Sequence, residues 1–212
     1  MKTITIANQK GGVGKSKISY NLLTELTTSD RKGILFDTDP QQSCFNIFNF
    51  RKNTDKKIIV RPALEDIHHK IDEVKNEFNF AIIDTPPHNH KTMALAVICA
   101  DLVIIPVQDS PMDILSTKST IKLIKQAQKE NPNIKVYFLL SRIQPNTILS
   151  RELTDYLNNL YDIPILKNST TNRVDYKQAM IYGLSAVEFK PTSKAAQEII
   201  LLTKEIKSIL TF

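Results

Sequence analysis

Hydrophobic and polar positions along this chain fall into two alternating kinds of block. Runs such as Gly33–Asp37 (GILFD), Phe80–Asp84 (FAIID) and Leu102–Val107 (LVIIPV) are continuously apolar, the pattern of parallel strands covered on both faces. Between them lie longer stretches with apolar residues at helical spacing. The order predicts strands at Lys2–Ala7, Gly33–Asp37, Ile58–Val60, Phe80–Asp84, Leu102–Val107, Ile134–Ser141 and Ile163–Leu166. Helices are predicted at Ser16–Thr28, Gln41–Phe48, Ala63–Phe78, Thr92–Ala100, Pro111–Glu130, Asn146–Leu160 and Lys194–Leu210, with Pro62 where the third should start. The polar, basic segment Arg51–Lys57 reads as a loop. No repeat, low-complexity stretch or long linker interrupts the alternation. The pattern predicts an α/β fold, one domain over residues 1–212 with a twisted, mostly parallel sheet and helices on both faces. Such a fold does not by itself specify a function.

Composition narrows the function classes modestly. The chain is 42% hydrophobic and 24% charged, ordinary for a globular protein. Its net charge of +6 permits a polyanionic partner without requiring one. No apolar run approaches the ~20 residues that span a bilayer, and the opening MKTITIANQK has no signal-peptide core, so a cytoplasmic protein is expected. Two cysteines far apart, Cys44 and Cys99, exclude a disulfide framework and a CxxC zinc site. Glycine changes the picture most. Of five glycines, three (Gly11, Gly12, Gly14) fall within four residues, where the backbone must do something a side chain would block.

These glycines sit in NQKGGVGKS, residues 8–16, between a predicted strand and a predicted helix. There, backbone N–H groups and a helix N-terminus together hold phosphate. Gly11, Gly12, Val13 and Gly14 wrap the anion, Lys15 places its ammonium on the β- and γ-phosphates, and the Ser16 hydroxyl ligates Mg²⁺. The loop departs from GxxxxGK[ST]: Gln9 stands at the first glycine position and a second lysine, Lys10, precedes the glycines. KGGVGKS resembles the deviant Walker A motif of the ParA/MinD family of ATPases, a phosphate-loop NTPase fold. The resemblance implies that Lys10 reaches across an ATP-sandwich homodimer to the partner's phosphates. ILFDTDPQ (Ile34–Gln41) resembles the family's second motif, which implies Asp37 in the Mg²⁺ environment and Asp39 positioning the attacking water. Phosphoryl transfer to water needs alignment and charge neutralisation more than a strong base. FAIIDTPP (Phe80–Pro87) resembles Walker B, with Asp84 holding the metal through water. An aspartate after four apolar strand residues also lies at the sheet's carboxyl edge, where ligands bind in such folds.

The resemblance covers nearly the whole chain. IIPVQDSPMDI (Ile104–Ile114) is similar to the family's proline-containing segment, and FLLSR (Phe138–Arg142) to the strand ending near adenine, so base contacts are placed around Arg142, Lys167 and Asn168. One departure is Lys17, where the family usually has a Thr or Ser contacting the α-phosphate; the Lys17 backbone N–H still serves as the nucleotide contact there. Because it opens at the first strand, the chain most resembles the small plasmid-partition type, which implies that site-specific operator binding is not expected. The implied function is a weak Mg²⁺-ATPase that dimerises with ATP, binds DNA non-specifically on the nucleoid and is released when a ParB-type partner stimulates hydrolysis. A cargo- or division-site-positioning ATPase is the alternative. A relationship to the family's iron protein fails for want of a second cluster cysteine beside Cys99.

Two basic sets are candidates for DNA contact. Lys118, Lys122, Lys125 and Lys129 share one helix face, and Lys204 and Lys207 belong to a C-terminal basic pool. A solvated helix face explains the first set equally well. The terminal helix carries Ala195, Ile199, Leu202, Ile206 and Ile209 on one side, and its other face mixes Lys204 and Lys207 with Glu198 and Glu205. That mixture favours docking on the core over a membrane anchor. His88 and His90 read as a solvated loop, His68 and His69 as surface.

Overall fold

A computed structural model describes residues 1–52, 58–109, 111–144 and 147–211. Six strands and nine helices are found among them: β1 Lys2–Ile6, α1 Lys15–Leu26, β2 Gly33–Asp37, α2 Ser43–Asn49, β3 Ile58–Pro62, α3 Ile67–Val74, β4 Phe80–Asp84, α4 His90–Ile98, β5 Leu102–Val107, α5 Pro111–Glu130, β6 Lys135–Leu140, α6 Ile148–Leu160, α7 Val174–Ile181, α8 Ala186–Phe189 and α9 Lys194–Leu210. All strand pairs are parallel, in the order β3-β2-β4-β1-β5-β6. β1 therefore lies inside the sheet, with strand order reversing around it. That is where ligands bind in open α/β sheets, beyond the carboxyl ends.

The continuous apolar runs are explained by burial on both faces. Ile82 of β4 packs with Ile4, Leu35, Ile104 and the apolar sides of α1 and α9, while its neighbours Ala81 and Ile83 face Ile34, Phe36 and α3. On that second side Val103, Ile105, Val107 and Phe138 pack beneath α4, α5 and α6. Ile199, Leu202 and Ile206 of α9 are fully buried, so the helix spends that apolar side on the core. No helix among the described residues is long and apolar enough to cross a membrane.

Three expectations need correcting. Pro62 ends β3, paired with Asp37 of β2, and does not open α3, which starts at Ile67. Ile163–Leu166 forms a single bridge, Phe138 to Ile165, and no strand. Helices α7 and α8 lie in a stretch where no helix is predicted. Most of the predicted loop Arg51–Lys57 (residues 53–57) and the predicted start of α6 at Asn146 lie outside the described residues.

Candidate functional site

Leaving β1, the chain turns through residues 7–14 into α1. Gly12 (φ 79°) and Gly14 (φ 94°) occupy the left-handed region, which a side chain resists. Gly14 is the N-cap of α1 and no side chain caps that end. The Gly12 carbonyl accepts from Arg142 Nη1 at 2.6 Å and Gln108 Nε2 at 3.0 Å, and the Val13 carbonyl from Ser141 Oγ at 2.9 Å. A trans peptide sets its N–H opposite its C=O, so the Val13 and Gly14 N–H groups turn away from these partners. Such oriented N–H groups at a helix N-terminus hold phosphate.

The loop's base is fixed from below. Asn8 Nδ2 donates to Pro106 O at 2.8 Å, Lys10 N to Asn8 Oδ1 at 2.9 Å and Gln9 N to Thr120 Oγ1 at 3.0 Å. Lys15 is buried and donates from Nζ to Lys10 O at 2.9 Å, folding back over the loop. Burial lowers its pKa, and the carboxylates of Asp84 and Asp39 work against that. The ammonium thus lies between the loop and the acidic end of the sheet.

That acidic end follows from register. Asp37 and Asp84 are partners across the β2–β4 ladder, both fully buried at the carboxyl ends of their strands. Asp84 is pushed up to about 7 by burial and by the negative charge of Asp37, while hydrogen bonds from Ser16 and Ser19 pull it down. Burial also raises Asp37, against backbone N–H donors that include Phe45 and Asp39. Asp39 follows directly, and its Oδ1 accepts from Gln41 N at 2.9 Å. Two buried carboxylates and the Ser16 hydroxyl form a hard oxygen donor set of the kind Mg²⁺ takes. A divalent cation there would relieve the repulsion that raises Asp84, so the residues fit Mg²⁺.

Lys17 extends sideways from α1. Its Nζ lies 4.3 Å from the centroid of the Tyr176 ring and donates to Thr170 Oγ1 at 3.3 Å. Burial, joined by the charge of Arg142, lowers its pKa to about 8 against the pull of Glu198. With Gly14, Arg142, Arg173 and Tyr176 it lines a cavity of about 160 Å³ beside the phosphate loop.

The site is thus that of a phosphate-loop nucleotide-binding protein of the parallel α/β class. Residues 4–186 match the CobQ/CobB/MinD/ParA nucleotide binding domain. The chain belongs to this family and is an ATPase of its ParA/MinD type. It is 30% identical, over 96% of its length and 95% of the relative's, to the maintenance of carboxysome distribution protein A of Halothiobacillus neapolitanus. The ATP complex of a Cyanothece McdA variant superposes with TM-score 0.76 at 16% identity, covering 100% of this chain and 97% of that one. The septum site-determining protein MinD of Pyrococcus horikoshii, complexed with Mg-ADP, gives 0.74 at 20%, covering 99% and 97%. Those two structures hold ATP and Mg-ADP respectively, and the donor set described above fits the same kind of ligand, a nucleotide with Mg²⁺.

Not every candidate converges there. Lys10, Gly11–Ser16, Asp37, Asp39 and Asp84 gather at one edge of the sheet. Arg142 reaches the loop, whereas the backbone N–H groups of Lys167 and Asn168 donate to Glu205 of α9 at 2.7 and 3.0 Å. Neither of those two residues lines the cavity beside Gly14. Lys118, Lys122, Lys125 and Lys129 are exposed along α5 and Lys204 along α9, with Lys207 half-buried, so the two basic sets lie on opposite layers of the sheet. His68 and His69 are surface residues facing Asp72 and Glu73. His88 and His90 are exposed as expected, but His90 opens α4 and not a loop, and its Nδ1 lies 2.9 Å from Gln9 Nε2, tying the start of that helix to the phosphate loop. Ser19, Cys44 and Tyr176 also touch site residues, and no sequence motif points to them.

Proposed function

We propose that this chain, acting as a single domain, is an ATP-dependent partition ATPase. In this reading it forms an ATP-sandwich homodimer, binds DNA non-specifically on the nucleoid and lets go when a ParB-type partner stimulates hydrolysis. The observation that carries the reading is the convergence of Lys15 with Asp37, Asp39 and Asp84 at the mouth of a glycine loop whose amides face outward. Gly11–Gly14 and Lys15 hold the phosphates, Ser16, Asp37 and Asp84 hold Mg²⁺, and Asp39 orients a water. That water attacks the γ-phosphorus, the bond to the β-phosphate oxygen breaks, and ADP and phosphate leave. Mg²⁺ supplies charge neutralisation on the phosphate oxygens. Lys10 supports the dimer, since the monomer already has its own inward lysine in Lys15. The chain's similarity to a carboxysome-distribution protein favours a second reading, in which the cargo is a protein assembly and not a replicon.

DNA binding should be sequence-independent, strong only with ATP, and steeply salt-dependent, with each phosphate contact adding roughly 0.9 to the slope of log affinity against log salt. Co-sedimentation with DNA in ATP, in ADP and with the Lys15→Ala protein tests this. Equal affinity in all three would overturn the switch. Alanine variants of Lys118–Lys122 and of Lys204–Lys207 locate the contact by which pair flattens the slope.

A further inference from the structure

Asp84 is held by two side chains that belong to neither the phosphate loop nor the acidic strand ends. Its Oδ1 accepts from Ser19 Oγ at 2.9 Å, and its Oδ2 faces Cys44 Sγ at 3.4 Å. Both partners are fully buried. Ser19 lies one turn into α1 beyond Lys15, and its Oγ is also 3.0 Å from the Lys15 carbonyl. Cys44 lies in the first turn of α2, and the same sulfur is 3.4 Å from the Ser16 carbonyl. The next residue, Phe45, donates its backbone N–H to Asp37 Oδ2 at 3.1 Å. The first turn of α2 therefore touches both carboxylates of the pair, Asp37 through a backbone amide and Asp84 through a thiol. A buried thiol is ordinarily a small hydrophobe with a weak S–H donor. This one is packed in the core yet aimed at an anion.

We propose that Cys44 is a positioning residue for the divalent-cation site, its S–H fixing Asp84 Oδ2 as Ser19 fixes Oδ1 and tying α2 to the metal carboxylates. The proposal rests on the reading of this edge as a Mg²⁺-nucleotide site. Hydrogen bonds to the charged form of a carboxylate favour that form, and a carboxylate with both oxygens directed meets a metal or its water shell already oriented. Because Asp39 and Pro40 connect β2 to this same turn, the thiol also links metal binding to the segment that bears the water-positioning aspartate.

The test uses the full chain with Cys99 replaced by serine, so that Cys44 is the only thiol. ADP affinity is measured by calorimetry with Mg²⁺ and with EDTA. Cys44→Ala should cut the gain in affinity that Mg²⁺ gives by about tenfold, the low end for a group that orients a ligand. ADP affinity in EDTA should stay unchanged, and Cys44→Ser, which keeps a donor, should restore most of the gain. An undiminished gain in Cys44→Ala, or no recovery in Cys44→Ser, would overturn the proposal. If the variants fail to fold, the S–H stretching band in Raman spectra of the Cys99→Ser protein decides. The band should lie at the position of a hydrogen-bonded thiol and shift on adding Mg²⁺ and ADP. A free-thiol band, or one unmoved by Mg²⁺ and ADP, would overturn the assignment. Absence of ADP binding in both buffers would instead overturn the nucleotide reading beneath it.

Discussion

Asp84 carries an unusual electrostatic load for a single residue. Its carboxyl is held at about 7 by burial and by Asp37, well above the ordinary carboxylate value near 4. Between those two values the folded chain keeps a proton that the unfolded chain has released. Stability without ligand therefore falls as pH rises through this window, and the loss is complete above the folded value. Asp84→Asn removes the charge and should raise the melting midpoint at about pH 8, by about 2–4 °C for each kcal/mol relieved. At about pH 4 it should change little, because the carboxyl is protonated there in the folded chain. Melting curves at the two pH values check this, and an equal shift at both would contradict the electrostatic account. Lys15 lies in the same field with the opposite charge. Lys15→Ala removes the ammonium facing the phosphates and should weaken ATP binding by about 100-fold or more, equivalent to about 3 kcal/mol. Calorimetry reads that directly, and unchanged affinity would remove Lys15 from the site.

At the scale of elements, Gly183 is the joint between the first and last thirds of the chain. Its φ is 67°, and a Cβ there would come within 2.4 Å of Arg51 N and 2.8 Å of Ile47 O, both backbone atoms. Its carbonyl accepts from Tyr20 Oη at 2.7 Å and Arg51 Nη1 at 3.1 Å, while Arg51 also pairs with Glu188 in near-complete burial. Gly183→Ala forces both a strained φ and a backbone clash, and should cost about 2–4 kcal/mol. That lowers the melting midpoint by roughly 5–15 °C, and a neutral outcome would show that the end of α2 and the start of α8 separate easily. This joint also marks where the sequence stops being legible. Strands β2, β4 and β5 are legible because burial on both faces makes them unbroken apolar runs. Asp37 and Asp84 are legible because each ends such a run. α7 leaves no such trace: Val174 and Ile181 are exposed and its buried residues are Tyr176 and Ala179, so no apolar stripe marks it. Ile163–Leu166 resembles a strand because it is apolar and lies next to β6, but it meets that strand at one bridge only. Ser19 and Cys44 are ordinary residues within helices, and only the approach of α1 and α2 to β4 brings them to Asp84.

For the whole molecule, the central claim is that ATP makes two copies one machine. In the proposed scheme Lys15 serves the phosphates, the Asp37–Asp84 pair the metal and Asp39 the water, and Lys10 serves a second copy's nucleotide. Asp39→Ala should therefore bind ATP and dimerise yet hydrolyse slowly, because water positioning is lost while phosphate contacts persist. Lys10→Ala should bind ATP as a monomer and lose dimer-dependent turnover. Sedimentation velocity of the Asp39→Ala protein with ATP and Mg²⁺, beside the Asp39→Ala protein carrying Lys10→Ala as well, is the most direct measurement. The account predicts a dimer for the first in ATP and a monomer in ADP, and a monomer in both for the second. A dimer that persists without Lys10, or a monomer in ATP when Lys10 is present, would contradict it.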